Sequence, residues 1–232
     1  MLKYWSDFVR ARLRDKRPLM DEPLAAFSVE WLHSRFGCRT VFLVRHPAAI
    51  ANSRKQLGHL ADFSQLLRQP LLMRDFLSRY ERELTALQGS RDDLIGNACL
   101  LWRTIYGALT AIRERVPDLL IVRHEDLARN PLAEFERIHR WLEVPFDEAT
   151  RRFVVSSTSA RADKPGATLE QRRKRAHSWS ISRNGISKTG FRPLDSKAYV
   201  VKWKRELTRA EIARIRSLTA DVAPSFYGDE DW

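Results

Sequence analysis

The sequence predicts an α/β fold: a short parallel sheet flanked by helices. Two short apolar runs, Val41–Val44 and DLLIVR at 118–123, are too brief for helices and rich in branched side chains, the pattern of buried parallel strands. Each ends on the same tripeptide, Val-Arg-His at 44–46 and 122–124, and each leads into a helical pattern. Between them runs a helix-length apolar segment over 92–116, so strand, helix and strand alternate as crossover connections require.

The stretch Thr40–Leu57 (TVFLVRHPAAIANSRKQL) organises the rest. The strand spans 40–45. Pro47 cannot donate to a sheet but suits the first turn of a helix. Ala48–Leu57 is then helical, with Ala48, Ala49 and Ile50 packing and Arg54 and Lys55 outward. In open α/β sheets, ligands sit at the carboxyl ends of strands. Arg45 lies at that end and Ser53 eight positions later, so a cationic fork and a hydroxyl can close on one anion.

Earlier in the chain, residues 1–17 are basic and amphipathic, with Leu2, Trp5, Phe8, Val9 and Leu13 on one helical face, and predict a surface helix packed on the sheet, with a membrane-surface helix as the alternative. A third strand is expected near 18–21. Glu22 follows it, where a carboxylate can act as a base or sit favourably at a helix start. Leu24–Phe36 is predicted helical, with Ala25, Ala26, Phe27, Val29, Trp31 and Leu32 inward. Ser64–Gln88 is predicted helical with a kink at Pro70.

After the second strand, Glu125 is expected to be a structural partner of Arg45 or Arg123. Asn130 and Pro131 open a helix that runs to Glu143, and 147–157 is a further short helix. From 159 to 195 periodicity disappears. Between Gln171 and Arg205 there are eleven Lys/Arg against a single Asp, the pattern of a basic, anion-facing loop. Thr208 and Glu211 form a Thr-x-x-Glu capping box before the last helix. In the closing FYGDEDW, Phe226, Tyr227 and Trp232 are expected to pack back while Asp229, Glu230 and Asp231 stay in water.

At 232 residues the chain predicts a single domain spanning 1–232. The formal charge of +12 favours phosphate, sulfate, nucleic acid or an anionic membrane as partner without choosing among them. Cys38 and Cys99 have neither disulfide-framework nor metal-ligand spacing, which points to a reducing, cytoplasmic compartment. The amino terminus carries no apolar signal core, and the most apolar segment, 94–112, contains Arg103 and is flanked by charge, so no membrane span is expected.

An Arg at a strand end, a Pro two residues on and a Ser eight residues after the Arg resembles the 3′-phosphate motif of sulfotransferases that use 3′-phosphoadenosine 5′-phosphosulfate (PAPS). DEPLAAFSVEWL (21–32), FSQLLRQPLLMRDFL (63–77), IVRHEDLARNPLAEFERIHRWLEVP (121–145) and WKRELTRAEIARI (203–215) are similar to bacterial sulfotransferase-domain segments, in the right order. The resemblance implies a P-loop-kinase-like sulfotransferase fold and sulfuryl transfer from PAPS to a hydroxyl or amine, leaving adenosine 3′,5′-bisphosphate, without a metal. It implies that Arg45 and Ser53 bind the 3′-phosphate and that Ser182, Arg183 and, more weakly, Lys188 contact the nucleotide. Glu22 is placed as the catalytic base, although the family's usual Lys is replaced by Asp21. Arg68, Gln69, Met73, Arg74 and Asp75 become candidates for the acceptor pocket, with a small-molecule, carbohydrate or lipid acceptor.

The family's glycine-bearing phosphosulfate turn has no counterpart before Met20, and no glycine occurs before Gly37. The expectation is a fold with its first strand missing. Two alternatives stand beside an active transferase: a catalytically weak or inactive nucleotide-binding remnant, and a basic nucleic-acid-binding protein. Clustering of charge in one late stretch, together with Arg45 and Ser53, favours a nucleotide over nucleic acid.

Overall fold

The structure is a computed structural model and describes residues 17, 19–21, 23–89, 92–158 and 196–232. Strand β1 (Thr40–Val44) pairs in parallel with β2 (Leu119–Arg123), Thr40 opposite Leu119 and Val44 opposite Arg123. These are the two expected strands, trimmed by one residue each. The third, near 18–21, is absent: residues 19–21 are irregular and exposed, and the sheet has two strands among the described residues.

The chain enters through a 3₁₀ turn (Pro23–Ser28) and α1 (Val29–Phe36). Gly37 ends α1 in the left-handed conformation, which a residue without Cβ adopts at no cost. Trp31, expected inward, is 59 % exposed and meets Phe36 edge-on, because only Val29 of α1 reaches the core.

Helix α2 (Pro47–Leu57) follows β1 with Pro47 at its first turn and His46 as N-cap. Its buried face is almost all alanine, which lets it lie close on its neighbours. Arg54 and Lys55 do not point freely outward. Both are half-buried, and Lys55 pairs with Glu211 at 2.5 Å.

Residues 64–87 form the expected helical excursion in pieces rather than one kinked rod. Short turns at Ser64–Leu67 and Pro70–Leu72 lead into a π-helical turn (Met73–Leu77), a 3₁₀ turn (Ser78–Tyr80) and α3 (Glu81–Leu87). Pro70 accounts for the first break, since it lacks the N–H that would continue the ladder.

Helix α4 (Leu94–Arg115) is the spine. Asp93 caps it by accepting from Gly96 N at 2.8 Å and holds Arg214 with both oxygens. Trp102, Tyr106 and Leu109 of α4 pack on the sheet face formed by Phe42, Val44, Leu119 and Ile121. On the opposite face Leu43 is half exposed.

Beyond β2 come α5 (His124–Arg129), α6 (Pro131–Leu142) and α7 (Glu148–Thr158). Asn130 occupies the N-cap position of α6, but its side chain makes no capping bond. After the undescribed stretch come α8 (Ser196–Val200), α9 (Trp203–Glu206) and α10 (Arg209–Leu218). The last part of the basic segment is thus helical. Both halves of the capping box at Thr208 and Glu211 are present. The final residues return to the core: Tyr227 is buried against α4 and β1, with Trp232 beside it.

Candidate functional site

The carboxyl ends of β1 and β2 lie side by side, so the two Val-Arg-His turns are neighbours. Arg45 leaves β1 with its carbonyl accepting from Trp102 Nε1 at 2.8 Å. Its Nε is buried without a hydrogen-bond partner, and no carboxylate pairs with its guanidinium among the described residues. Ser53 is half-buried two turns into α2. The lateral position of α2 is set from outside: Asn52 donates to Glu206 at 2.7 Å, and Lys55 holds Glu211.

His46 is 1 % exposed. Its Nδ1 accepts from Ala48 N at 3.2 Å, which leaves the ring proton on Nε2. The ring stacks on Trp203 at 4.7 Å and meets Tyr227 and Trp232 edge-on. Burial is the main force that holds its pKa down to about 3; Asp231 opposes the shift, while Lys204 and Arg123 add to it. His46 is therefore a neutral structural cap at physiological pH.

Glu125 is a structural partner, but of different groups from those expected. Its Oε1 accepts from His46 N at 3.0 Å and its Oε2 from the Tyr227 hydroxyl at 2.8 Å, with neither Arg45 nor Arg123 involved. Burial and the adjacent Glu125 carboxylate push the Tyr227 hydroxyl far above its ordinary pKa. Arg123 instead bonds Asp231, approaches Asp126 at 3.5 Å and lies over the Tyr227 ring. Asp231, expected in water, is therefore buried. Burial alone would raise its pKa, but bonds from Arg123 and Gly228 N hold it below its ordinary value.

His124 was not singled out from the sequence, although the repeated tripeptide pointed to it. It is half-buried, and its Nδ1 is buried without a hydrogen-bond partner. Burial first, and then the charge of Arg45, lower its pKa. Arg54 Nε is a further buried donor without a partner, and burial lowers that guanidinium. Among the described residues, Arg45 Nε and His124 Nδ1 are thus buried nitrogens without hydrogen-bond partners at neighbouring strand ends, and Arg54 Nε is another on α2.

Glu22, Ser182, Arg183 and Lys188 lie outside the described residues. Arg68, Gln69, Arg74 and Asp75 are exposed, with Arg74 and Asp75 paired to each other at 2.6 Å. A shallow cavity of ≈ 310 Å³ lies between Asp75, Phe76 and Arg79 and the Gly107–Glu114 side of α4. A second, of ≈ 390 Å³, lies beside β2 and is lined by Arg113, Ile121, Arg123 and Phe226, among others. Neither is lined by Arg45 or Ser53.

Among the described residues no group of three His, Cys, Asp or Glu side chains is placed to hold a metal ion, and no helix is long and apolar enough to cross a membrane. Cys38 and Cys99 are free thiols, and burial pushes Cys99 up to about 12.

A short parallel sheet wrapped by helices, with an arginine at a strand end that has no carboxylate partner among the described residues, is compatible with an α/β transferase fold. The sequence model of the sulfotransferase domain matches residues 11–224, nearly the whole chain, and the protein belongs to that family. No curated protein and no solved structure gives a significant match. Family membership supports sulfotransfer in general.

Proposed function

We propose that this sulfotransferase-family protein uses PAPS as sulfuryl donor and binds the donor's 3′-phosphate between Arg45 and Ser53. The observation that carries this is the Arg45 guanidinium, which has no ion pair among the described residues and is anchored through its own backbone at the carboxyl end of β1. A half-buried arginine without a carboxylate is costly unless a ligand supplies the anion. Arg45 supplies a bidentate fork and Ser53 a directional hydroxyl; Ser182, Arg183 and Lys188 are proposed as further nucleotide contacts.

The reaction is an in-line displacement at sulfur. The acceptor oxygen or nitrogen forms the new bond to sulfur while the bond from sulfur to the bridging phosphate oxygen breaks. That oxygen leaves with adenosine 3′,5′-bisphosphate, and Glu22 is proposed to take the acceptor proton. The acceptor is a small molecule, carbohydrate or lipid bearing a hydroxyl or amine.

Isothermal calorimetry with adenosine 3′,5′-bisphosphate tests the site. Arg45→Ala should weaken binding by about 1.5–3 kcal/mol, the usual range for a hydrogen bond to a charged group. Unchanged affinity would remove Arg45 from the site. Glu22→Gln should leave that affinity intact and lower PAPS turnover by about 10²-fold or more, as expected for loss of a general base.

A further inference from the structure

We propose that Glu125 and Tyr227 are positioning residues for the anion site, fixing the Arg45–His46 peptide so that the Arg45 guanidinium faces a ligand rather than a protein carboxylate. The proposal rests on the Arg45–Ser53 site described above.

The peptide between Arg45 and His46 is held from both sides. Its carbonyl accepts from Trp102 Nε1 at 2.8 Å, and its N–H donates to Glu125 Oε1 at 3.0 Å. The second oxygen of Glu125 is taken by the Tyr227 hydroxyl at 2.8 Å. Tyr227 is itself fixed, with the Arg123 guanidinium over its ring and the His46 ring at its edge. Residues far apart in the sequence, on α4, α5 and the final segment, therefore converge on one peptide group.

Packing alone does not explain this choice of residues. Glu125 is 3 % exposed, and a buried carboxylate is expensive relative to an apolar side chain of the same volume. What a carboxylate adds is direction, because it accepts from a backbone N–H with one oxygen and from a phenol with the other. Arg45 has no ion pair among the described residues to locate its guanidinium. Its Cα and the peptide plane that follows must therefore do so, and a misplacement of about 1 Å is enough to cost much of a site's function.

The experiment is calorimetric binding of adenosine 3′,5′-bisphosphate to the full chain and five variants, with thermal unfolding recorded for each. Glu125→Ala should bind about 30- to 100-fold more weakly and Tyr227→Phe about 10-fold, as expected for loss of hydrogen bonds involving a charged group. Glu125→Gln should stay within about threefold of the parent, because its amide oxygen can accept from His46 N and its amide nitrogen can donate to the Tyr227 oxygen. Leu84→Val, in a core cluster away from the turn, should lower the melting temperature and leave affinity unchanged. If Glu125→Ala does not fold, the Tyr227→Phe and Glu125→Gln pair gives the answer. Loss of affinity in Arg45→Ala with none in Tyr227→Phe or Glu125→Ala would overturn the positioning role alone. Parent affinity in Arg45→Ala would overturn the site, and the positioning role with it.

Discussion

The two Val-Arg-His turns share a tripeptide, a strand ahead and a helix behind, yet their side chains do opposite work. After β2, Arg123 pairs with Asp231 and Asp126 and lies over the Tyr227 ring, tying the final segment to the sheet, although its Nε makes no hydrogen bond. After β1, Arg45 is held through its backbone, and its guanidinium has no ion pair among the described residues. The histidines differ in their Nδ1 atoms: that of His46 caps α2 under Trp203, whereas that of His124 is buried without a hydrogen-bond partner, as is His46 Nε2. Local sequence thus sets the turn, while residues distant in the chain decide which arginine is paired within the protein.

The largest expected effect that separates the turns is acid sensitivity. In the folded state His46 titrates near 3, against an ordinary value of about 6.5 in the unfolded chain. Between those values the unfolded chain binds the extra proton. Stability from neutral His46 is therefore complete above about pH 6.5 and is lost as the pH falls toward 3, by roughly 5 kcal/mol in all. His124, also lowered, contributes with the same sign. Urea unfolding between pH 4 and 7 should show a flatter profile in His46→Gln than in the parent. An equally steep profile would contradict the buried neutral cap.

Next is the removal of each arginine. Arg123→Ala leaves the buried Asp231 carboxylate without its principal partner and should cost about 3 kcal/mol. That is a fall in melting temperature of roughly 6–12 °C for a chain of this size. Arg45→Ala removes no ion pair within the described residues and should change stability by less than about 0.5 kcal/mol, with the loss confined to ligand binding. Equal destabilisation by the two substitutions would erase the distinction between a structural and a binding arginine.

Much of the frame was legible from local pattern. Both strands, α2 with Pro47 at its start, the long α4 and the Thr208–Glu211 capping box depend on periodicity or on groups three residues apart. The pairing of charges was not legible. Asp231 reads as wet because its neighbours are acidic and hydrophilic, and its partner Arg123 lies more than a hundred positions away. Glu125 was recognised as structural, but which donors it would meet depended on where Tyr227 returned. The breaks in 64–87 were only half visible: Pro70 marks one, whereas no residue type announces the π-helical turn at 73–77. The strand expected near 18–21 rested on the resemblance more than on any apolar run, and residues 19–21 do not form it. Arg45 and Ser53 are named from spacing alone, and their joint role is a proposal; His124 required both strand ends in register.

Helix α4 has a consequence for how the molecule comes apart. Ile95, Ala98 and Cys99 belong to one core cluster, Leu100 to a second, Trp102, Tyr106 and Leu109 to a third, and Ala108 and Ile112 to a fourth. No cluster can lose its wall without disturbing the others. Opening of one region should therefore propagate along this helix rather than stay local, merging the clusters into a single cooperative foldon. Its central amides, from Ala98 to Leu109, should be the slowest in the chain to exchange, with a common free energy equal to that of global unfolding.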